Sequence, residues 1–451
     1  MPATIGVVRG TGTFARGLHP PDGKALAAAA AIEVIASPAE VQVPLLQHTG
    51  APCVPVVKNR QAVAAGDLLG KAEAFVSAAV HAPIAGKVGR EARVTLPNGR
   101  HVAALSLRAD GEQLDGEALR ADVLGGEWPT TGLEAHAPEQ IVQAVRAAGV
   151  VGLGGAAFPT HVKLTRNPQR PTEVLLVNGS ECEPYLTADY RLMVEAPGPI
   201  VTGALLAARA VGAGRVLVAI EDNKPQAVDA LRQAAGGTGI EIVPVRTKYP
   251  MGGERQLIPA VLGREVPTGG LPLDVGVVVL NVGTAAAVAR AVLRGKPLTH
   301  RVVTVSGHGV AHPRNLLVPV GISCRELIDA CGGLRDDAAR VVAGGPMMGF
   351  ALGELSTPVT KGTSGITVLT AAEVAQAAEM PCVHCGRCVD VCPLHLVPTR
   401  IALAARHRDW ELARRYHILA CMECGCCAYA CPSRLPLVQL IRMGKALLPR
   451  S

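Results

Sequence analysis

Cys382-Val-His-Cys385-Gly-Arg-Cys388-Val-Asp-Val-Cys392-Pro393 is followed by Cys421-Met-Glu-Cys424-Gly-Cys-Cys427-Ala-Tyr-Ala-Cys431-Pro432. Both stretches read C-x2-C-x2-C-x3-C-P, the spacing of paired cubane iron–sulfur sites. Three thiolates two residues apart can wrap a short loop around one cluster. The fourth, carried away on the following helix, reaches the other. The expected ligand sets therefore cross over: Cys382, Cys385, Cys388 and Cys431 for one [4Fe–4S] cluster, and Cys421, Cys424, Cys427 and Cys392 for the second. The proline behind each fourth cysteine turns the chain. Zinc is the competing reading of a single run, but structural zinc usually shows C-x2-C pairs separated by a longer gap. The tandem favours two clusters, and with them a chain that moves single electrons.

Working outward, the 451 residues suffice for about three domains of ordinary size. Hydrophobic residues make up 49% and aromatic ones only 2%, so the cores are built from alanine, glycine and valine, which suits closely packed sheet-and-helix layers. No run of eighteen apolar residues is free of Gly, Pro or charge, so no membrane-spanning helix is expected, and no leader pattern points to secretion. Thirteen cysteines, eight of them accounted for as ligands, fit a reducing compartment. Cys53, Cys182, Cys324, Cys331 and Cys426 read as small buried hydrophobes. From Cys382 to Ser451 ten Lys/Arg stand against four Asp/Glu, so most of the chain's net charge of +7 sits on the cluster segment. Two readings stay open: compensation of the negative clusters, or a basic face for an acidic electron-transfer partner. A nucleic-acid partner is not expected, because the aromatic–basic interleaving of a binding groove is absent.

Four segments follow from the pattern, together a multidomain α/β chain. Residues 1–110 read as short strands broken by Ala65-Gly-Asp67, Pro83 and Gly86. The halves Ala-Gly-Asp-Leu-Leu-Gly and Ala-Pro-Ile-Ala-Gly-Lys-Val resemble a lipoyl-type barrel-sandwich domain, but His81-Ala82-Pro83 offers no carrier lysine. Residues 130–295 alternate helices with continuous β-branched runs, as in a Rossmann-like, mainly parallel sheet covered on both faces. Residues 296–362 form a small α+β module. Residues 370–451 form a helical domain around the cysteines, entered by an expected helix over Ala371 to Glu379.

The second informative stretch is Gly152-Leu-Gly154-Gly155-Ala-Ala-Phe158-Pro159-Thr160-His-Val-Lys163. Closely spaced glycines let backbone amides approach an anion, and the lysine adds charge; a simple helix-to-strand turn is the alternative. The strand Val174 to Val177 then runs into Asn178-Gly-Ser-Glu181-Cys-Glu183-Pro184. In open α/β sheets, ligands sit beyond the carboxyl ends of the strands.

Gly-x-Gly-Gly-Ala-x-Phe-Pro-Thr…Lys paired with Asn-x-x-Glu-x-Glu-Pro resembles the FMN- and NADH-binding flavoprotein subunit of respiratory complex I, over roughly 141–292. The whole order is a barrel-sandwich start, flavoprotein core, β-grasp ligand-binding-like module and tandem cluster motif. It resembles the RnfC family, found in Rnf-type ion-translocating electron transport complexes. The resemblance implies FMN phosphate on Gly152, Gly154, Gly155 and Lys163. It implies that Asn178, Glu181, Gly253, Glu254, Asn281 and Thr284 surround the ribityl chain and ring, with Phe158 near the nicotinamide and Glu183 holding NADH. Leu153, Ala157 and Ser180 depart from the complex I pattern of Arg, Gly and Asp at those places.

The implied function is that of an NADH:ferredoxin-type oxidoreductase subunit passing electrons between NAD(H), FMN and two [4Fe–4S] clusters. Its implied partners are ferredoxin-like and other subunits of a membrane complex, with a peripheral seat on the cytoplasmic side of the cell membrane. No side chain is needed as a general acid or base. The same parts also suit a soluble flavin-dependent iron–sulfur reductase, such as a cobalamin reductase, or a relay subunit with a decayed flavin site.

Overall fold

The computed structural model describes residues 10–374 and 378–449. The first strand, β1 (Ile32–Val34), leaves its own segment and belongs to a distant sheet described below. The barrel sandwich follows: β2 (Glu40–Pro44), β3 (Val54–Pro55), β4 (Ala62–Val63), β5 (Leu68–Lys71), β6 (Val80–His81), β7 (Gly86–Thr95) and β8 (His101–Ala109). They form sheets of order β2-β8-β7-β4 and β3-β5-β6. Alternation along β8 turns Val102, Ala104, Leu105 and Leu107 inward, with a register shift between Val88 and Glu91 absorbing the break in phase. Strand pairing around Val76–Ala82 is confined to Val80–His81, and Lys24–Leu26 forms a 3-10 turn.

The central domain is a fully parallel sheet of β9 (Val174–Gly179), β10 (Arg215–Glu221), β11 (Glu241–Val245) and β12 (Val277–Asn281), in the order β11-β10-β9-β12. Continuous apolar runs form β9, β10 and β12, whose faces are largely buried, while β11 at the edge stays partly open to water. Helices Pro197–Val211 and Val282–Arg294 cover one face, and Glu254–Leu262 covers the other. The first two approach backbone to backbone: a side chain at Gly203 would run into the Ala285 carbonyl. This close approach is what a core of small residues permits.

The third module is a mixed sheet of β13 (His300–Ser306), β14 (Arg314–Pro319), β15 (Ala338–Ala343), β16 (Phe350–Ala351) and β17 (Gly365–Thr370), with β1 added in parallel at the edge beside β14. Its helix Cys324–Ala330 starts at a capping box made by Ser323 and Glu326. The N-terminal segment is thus shared between two modules, which the boundary at residue 110 does not convey. Turns occupy 371–374, so the expected helix is not formed there, and its continuation over 375–377 lies outside the described residues. The last domain packs helices Pro398–Arg406, Trp410–Arg415 and Leu437–Leu447 around Ile401, Ile418, Leu437 and Ile441.

Candidate functional site

The glycine-rich loop is shaped by two pins on one residue. The Leu153 amide donates to Thr284 Oγ1 at 2.9 Å, and its carbonyl accepts from Arg301 Nη2 at 3.2 Å. Arg301 is buried, and that burial lowers its pKa to about 10. The Gly152 amide closes the loop onto the Phe158 carbonyl at 2.8 Å. At the crest Gly155 takes φ +110°, and nothing lies within 4 Å of where a side chain would start. The crest is therefore bare backbone, in a conformation that favours glycine.

A cleft of about 530 Å³ opens in front of this loop, a volume suited to a cofactor. Gly152, Gly154 and Phe158 line it from the loop. Asn178 and Asn281 line it from the carboxyl ends of β9 and β12, where they are register partners. Each asparagine is fixed by folding: Asn178 Nδ2 donates to the Gly252 carbonyl at 2.9 Å, while Asn281 Oδ1 caps helix Val282–Arg294 by accepting from the Gly283 and Thr284 amides. Asn281 Nδ2 donates to Asp189 at 2.5 Å. Burial, then the neighbouring Glu181, pushes the Asp189 carboxyl up to about 7. Lys163 and Glu254 face each other at 2.7 Å, and Lys163 Nζ also reaches the Val279 carbonyl at 3.2 Å.

These residues fit a phosphorylated cofactor carrying a flat ring. The Gly152 and Gly154 backbone and the Lys163 ammonium line the cleft and suit the phosphate; Gly155, the open crest between them, is not itself part of the lining. The Thr160 hydroxyl, buried and without a hydrogen-bond partner among the described residues, is a polar group that a ligand can satisfy. Val277 to Leu280 and Leu271 to Leu273 supply apolar walls. Thr160, Gly252 and the 271–273 wall were not among the residues expected from sequence. Thr160 stood in the glycine-rich motif, but the wall comes from a proline-rich connection with no periodic signal.

Other expected residues do not line the cleft. The Glu181 carboxylate accepts from the Asp189 and Tyr190 amides at 2.9 and 3.2 Å, closing the start of helix Ala188–Glu195. Glu183, expected to hold NADH, instead accepts from the Met347 and Met348 amides at 3.2 and 2.7 Å. Burial raises its pKa to about 7. Gly253 is the N-cap of helix Glu254–Leu262, and its back lies against Met422.

The cysteines fall into two groups. Cys382, Cys385, Cys388 and Cys431 line one cavity; Cys392, Cys421, Cys424 and Cys427 line the other. The two loops repeat one backbone. His384 and Glu423 have positive φ at equivalent places, as do Gly386 and Gly425, and His395 and Arg434. Short helices Arg387–Asp390 and Cys426–Tyr429 follow the two glycines. Among the described residues no three His, Cys, Asp or Glu side chains gather as a single metal ion requires; each cysteine set surrounds a hollow. Cys426, fully buried, lines the second cavity as well, a fifth cysteine there that lies outside the repeated spacing.

Comparison with known proteins matches each segment. Residues 12–112 match the RnfC barrel sandwich hybrid domain, 145–290 the Nuo51 FMN-binding domain, 302–351 the SLBB domain and 381–435 the 4Fe-4S dicluster domain. The chain is 42% identical to the C subunit of the proton-translocating ferredoxin:NAD(+) oxidoreductase complex of Clostridium ljungdahlii, over 96% of this chain and 93% of that one. It is 41% identical to the C subunit of the Na(+)-translocating complex of Acetobacterium woodii, over 96% of each. With the C subunit of the ion-translocating oxidoreductase complex of Rhodobacter capsulatus it shares 44% identity, over 95% and 82%. A solved NAD+-reducing [NiFe]-hydrogenase shares the fold, at TM-score 0.51 and 22% identity over 74% of this chain and 66% of that one. The chain belongs to the RnfC family, the C subunits of ion-translocating oxidoreductase complexes.

Proposed function

We propose that this chain is the NAD(H)-facing electron-transfer subunit of a ferredoxin:NAD+ oxidoreductase complex, with FMN in the cleft and [4Fe–4S] clusters on the two cysteine sets. When bound, FMN interconverts a hydride's electron pair and single electrons, and the clusters carry single electrons. The chain's residues bind and position. Lys163, now paired with Glu254, and the 152–155 backbone would hold the phosphate. Asn178, Asn281 and Thr284 fix the strand ends around the ring. The eight paired cysteines, Cys382, Cys385, Cys388 with Cys431 and Cys421, Cys424, Cys427 with Cys392, hold the clusters.

One observation carries the reading. The turn Gly252–Glu254 lines the cleft with Gly252 and Glu254, while a side chain at Gly253 would meet Met422 Cε at 2.5 Å. The cleft and the second cysteine set therefore share a wall one turn thick. The first set lies at the outer end, with Cys385 exposed and Val383 64% exposed. These positions support an electron path from the cleft through the second set and the first set to a partner. The partners are the other subunits of the complex, among them a ferredoxin-like one. No helix among the described residues is long and apolar enough to cross a membrane, and we place the chain peripherally, on the cytoplasmic side. Anaerobically prepared chain is expected to contain FMN, iron and sulfide in the ratio of one flavin to two clusters, and to reduce an artificial acceptor with NADH. Iron without flavin and without NADH oxidation would reduce the chain to a relay.

A further inference from the structure

The sharpest unexplained feature is Glu183, which the cleft does not use. It is mostly withdrawn from solvent, yet both oxygens are engaged by the third module: the Met347 amide at 3.2 Å and the Met348 amide at 2.7 Å. Gly345 leaves no room for a side chain beside this carboxylate. The loop so gripped, 344–350, presses its other side on the second cysteine set. A side chain at Gly425 would meet the Met347 carbonyl at 2.6 Å. Met347 packs with Tyr249, Cys424, Cys426 and Met422. Tyr249 donates its hydroxyl to the Cys424 carbonyl at 2.6 Å and lies 3.4 Å from Glu183. Arg442, which pairs with Glu423 at 3.0 Å, donates to the Met348 carbonyl at 2.7 Å.

We propose that loop 344–350 of the β-grasp module is a wall of the second cluster's site, held there by Glu183 as a positioning residue. The inference rests on the cluster assignment above and adds a role for the third module. Met347 packs against Cys424 and Cys426 behind the second cysteine loop, which withdraws them from water, and the module places one carboxylate near them. Solvent exposure and nearby charge are principal determinants of a cluster's potential. At pH well above 7, where Glu183 is ionised despite its burial, its negative charge disfavours an added electron, so its removal makes reduction easier. Among the described residues the first cluster has no such wall: its loop carries the exposed Cys385 and Val383.

The test is an anaerobic redox titration of the full chain, run well above pH 7 so that Glu183 is ionised, followed by EPR, with the two signals assigned through Cys392→Ala and Cys382→Ala. Glu183→Gln and Met347→Ala are expected to raise the midpoint potential of the signal that Cys392→Ala removes. The other signal stays in place, and iron and flavin contents stay at the parent's. Met347→Leu, which keeps the apolar wall, is expected to restore the parent value. Unmoved potentials in both variants, or equal movement of both signals, would overturn the role of the loop. A parent chain without two reducible clusters would instead remove the functional reading beneath it.

Discussion

Lys163 and Gly155 divide the work of anion binding between charge and space. Lys163 already has a carboxylate partner in Glu254, at 2.7 Å, with both side chains partly open to water. A phosphate therefore competes with an exchangeable pair rather than with a buried one. Lys163→Gln is expected to weaken FMN retention by at least tenfold, read by flavin fluorescence after gel filtration, with iron content unchanged. Gly155→Glu adds a negative charge at the crest and forces a side chain onto φ +110°, a strain of roughly 1–3 kcal/mol. It is expected to abolish flavin binding with both clusters kept. Full flavin in that variant would make the loop a mere turn.

Lys361 is a different kind of residue, a fully buried clamp whose ammonium donates to the Ala79 carbonyl at 2.6 Å and the Gly149 carbonyl at 2.7 Å. It ties the barrel sandwich to the residue that leads into the glycine loop. Burial lowers its pKa to about 7 from 10.5. Above 7 the folded chain holds a neutral amine, whose two hydrogens still serve two carbonyls, while the unfolded chain stays protonated up to 10.5. The unfolded state then binds more protons, so this group's contribution to stability rises with pH across that window, by up to about 1.4 kcal/mol per unit. Cys53 and His48 lie in the same region, so the comparison is between parent and Lys361→Met. The variant's unfolding midpoint is expected to lose the rise with pH that the parent shows between pH 7 and 10. Parallel pH profiles would refute the assignment.

At the scale of elements, the cysteine loops were legible because their information is local. Three cysteines at spacing two, a glycine and a trailing proline determine a loop whatever surrounds it, and the two loops share positive φ at the same places. The strands of the central sheet were legible for a similar reason, since a run such as Val174 to Val177 has no exposed face to interrupt it. What sequence could not show was reach. β1 looks like any short apolar run, and only its pairing with Asn315 to Leu317 assigns it to the third module. Glu183 sits in a motif that suggests nucleotide binding, but its direction depends on a loop 164 residues away. The expected helix over 371–379 is replaced by turns at 371–374 and irregular backbone at 378–379. The grouping of Cys431 with the first set and Cys392 with the second yields a further prediction. Cys382→Ala and Cys431→Ala are expected to erase one EPR signal, and Cys392→Ala and Cys421→Ala the other. Cys426→Ala, buried beside the second set but outside the repeat, is expected to leave both. Loss of a signal from Cys426→Ala would break the ligand assignment.

At the scale of the whole molecule, charge and cofactor order point to the same end. Part of the basic excess of the cluster domain is spent internally: Arg442 and Lys445 pair with Glu423, and Arg406 with Glu379. Arg414 is half-buried and donates to the Pro449 carbonyl, which leaves it less free than its exposed neighbour Arg415. Arg387, Arg400 and Arg434 are exposed, and among the described residues they form no ion pair; Arg400 lines the first cysteine cavity itself. The outermost cluster site is thus ringed by unspent positive charge around the exposed Val383. That arrangement suits an acidic electron-transfer partner, steered by long-range attraction and seated on a small apolar centre. Exposed charges are screened beyond about 8 Å at physiological ionic strength, so the contact weakens with salt. High-salt washing of membranes is expected to release the chain with its iron intact. Arg400→Glu with Arg434→Glu is expected to bring release down to lower salt, and to slow electron transfer to the partner without changing NADH oxidation with an artificial acceptor. Release at the parent's salt concentration, with unchanged partner reduction, would move the contact to another face of the chain.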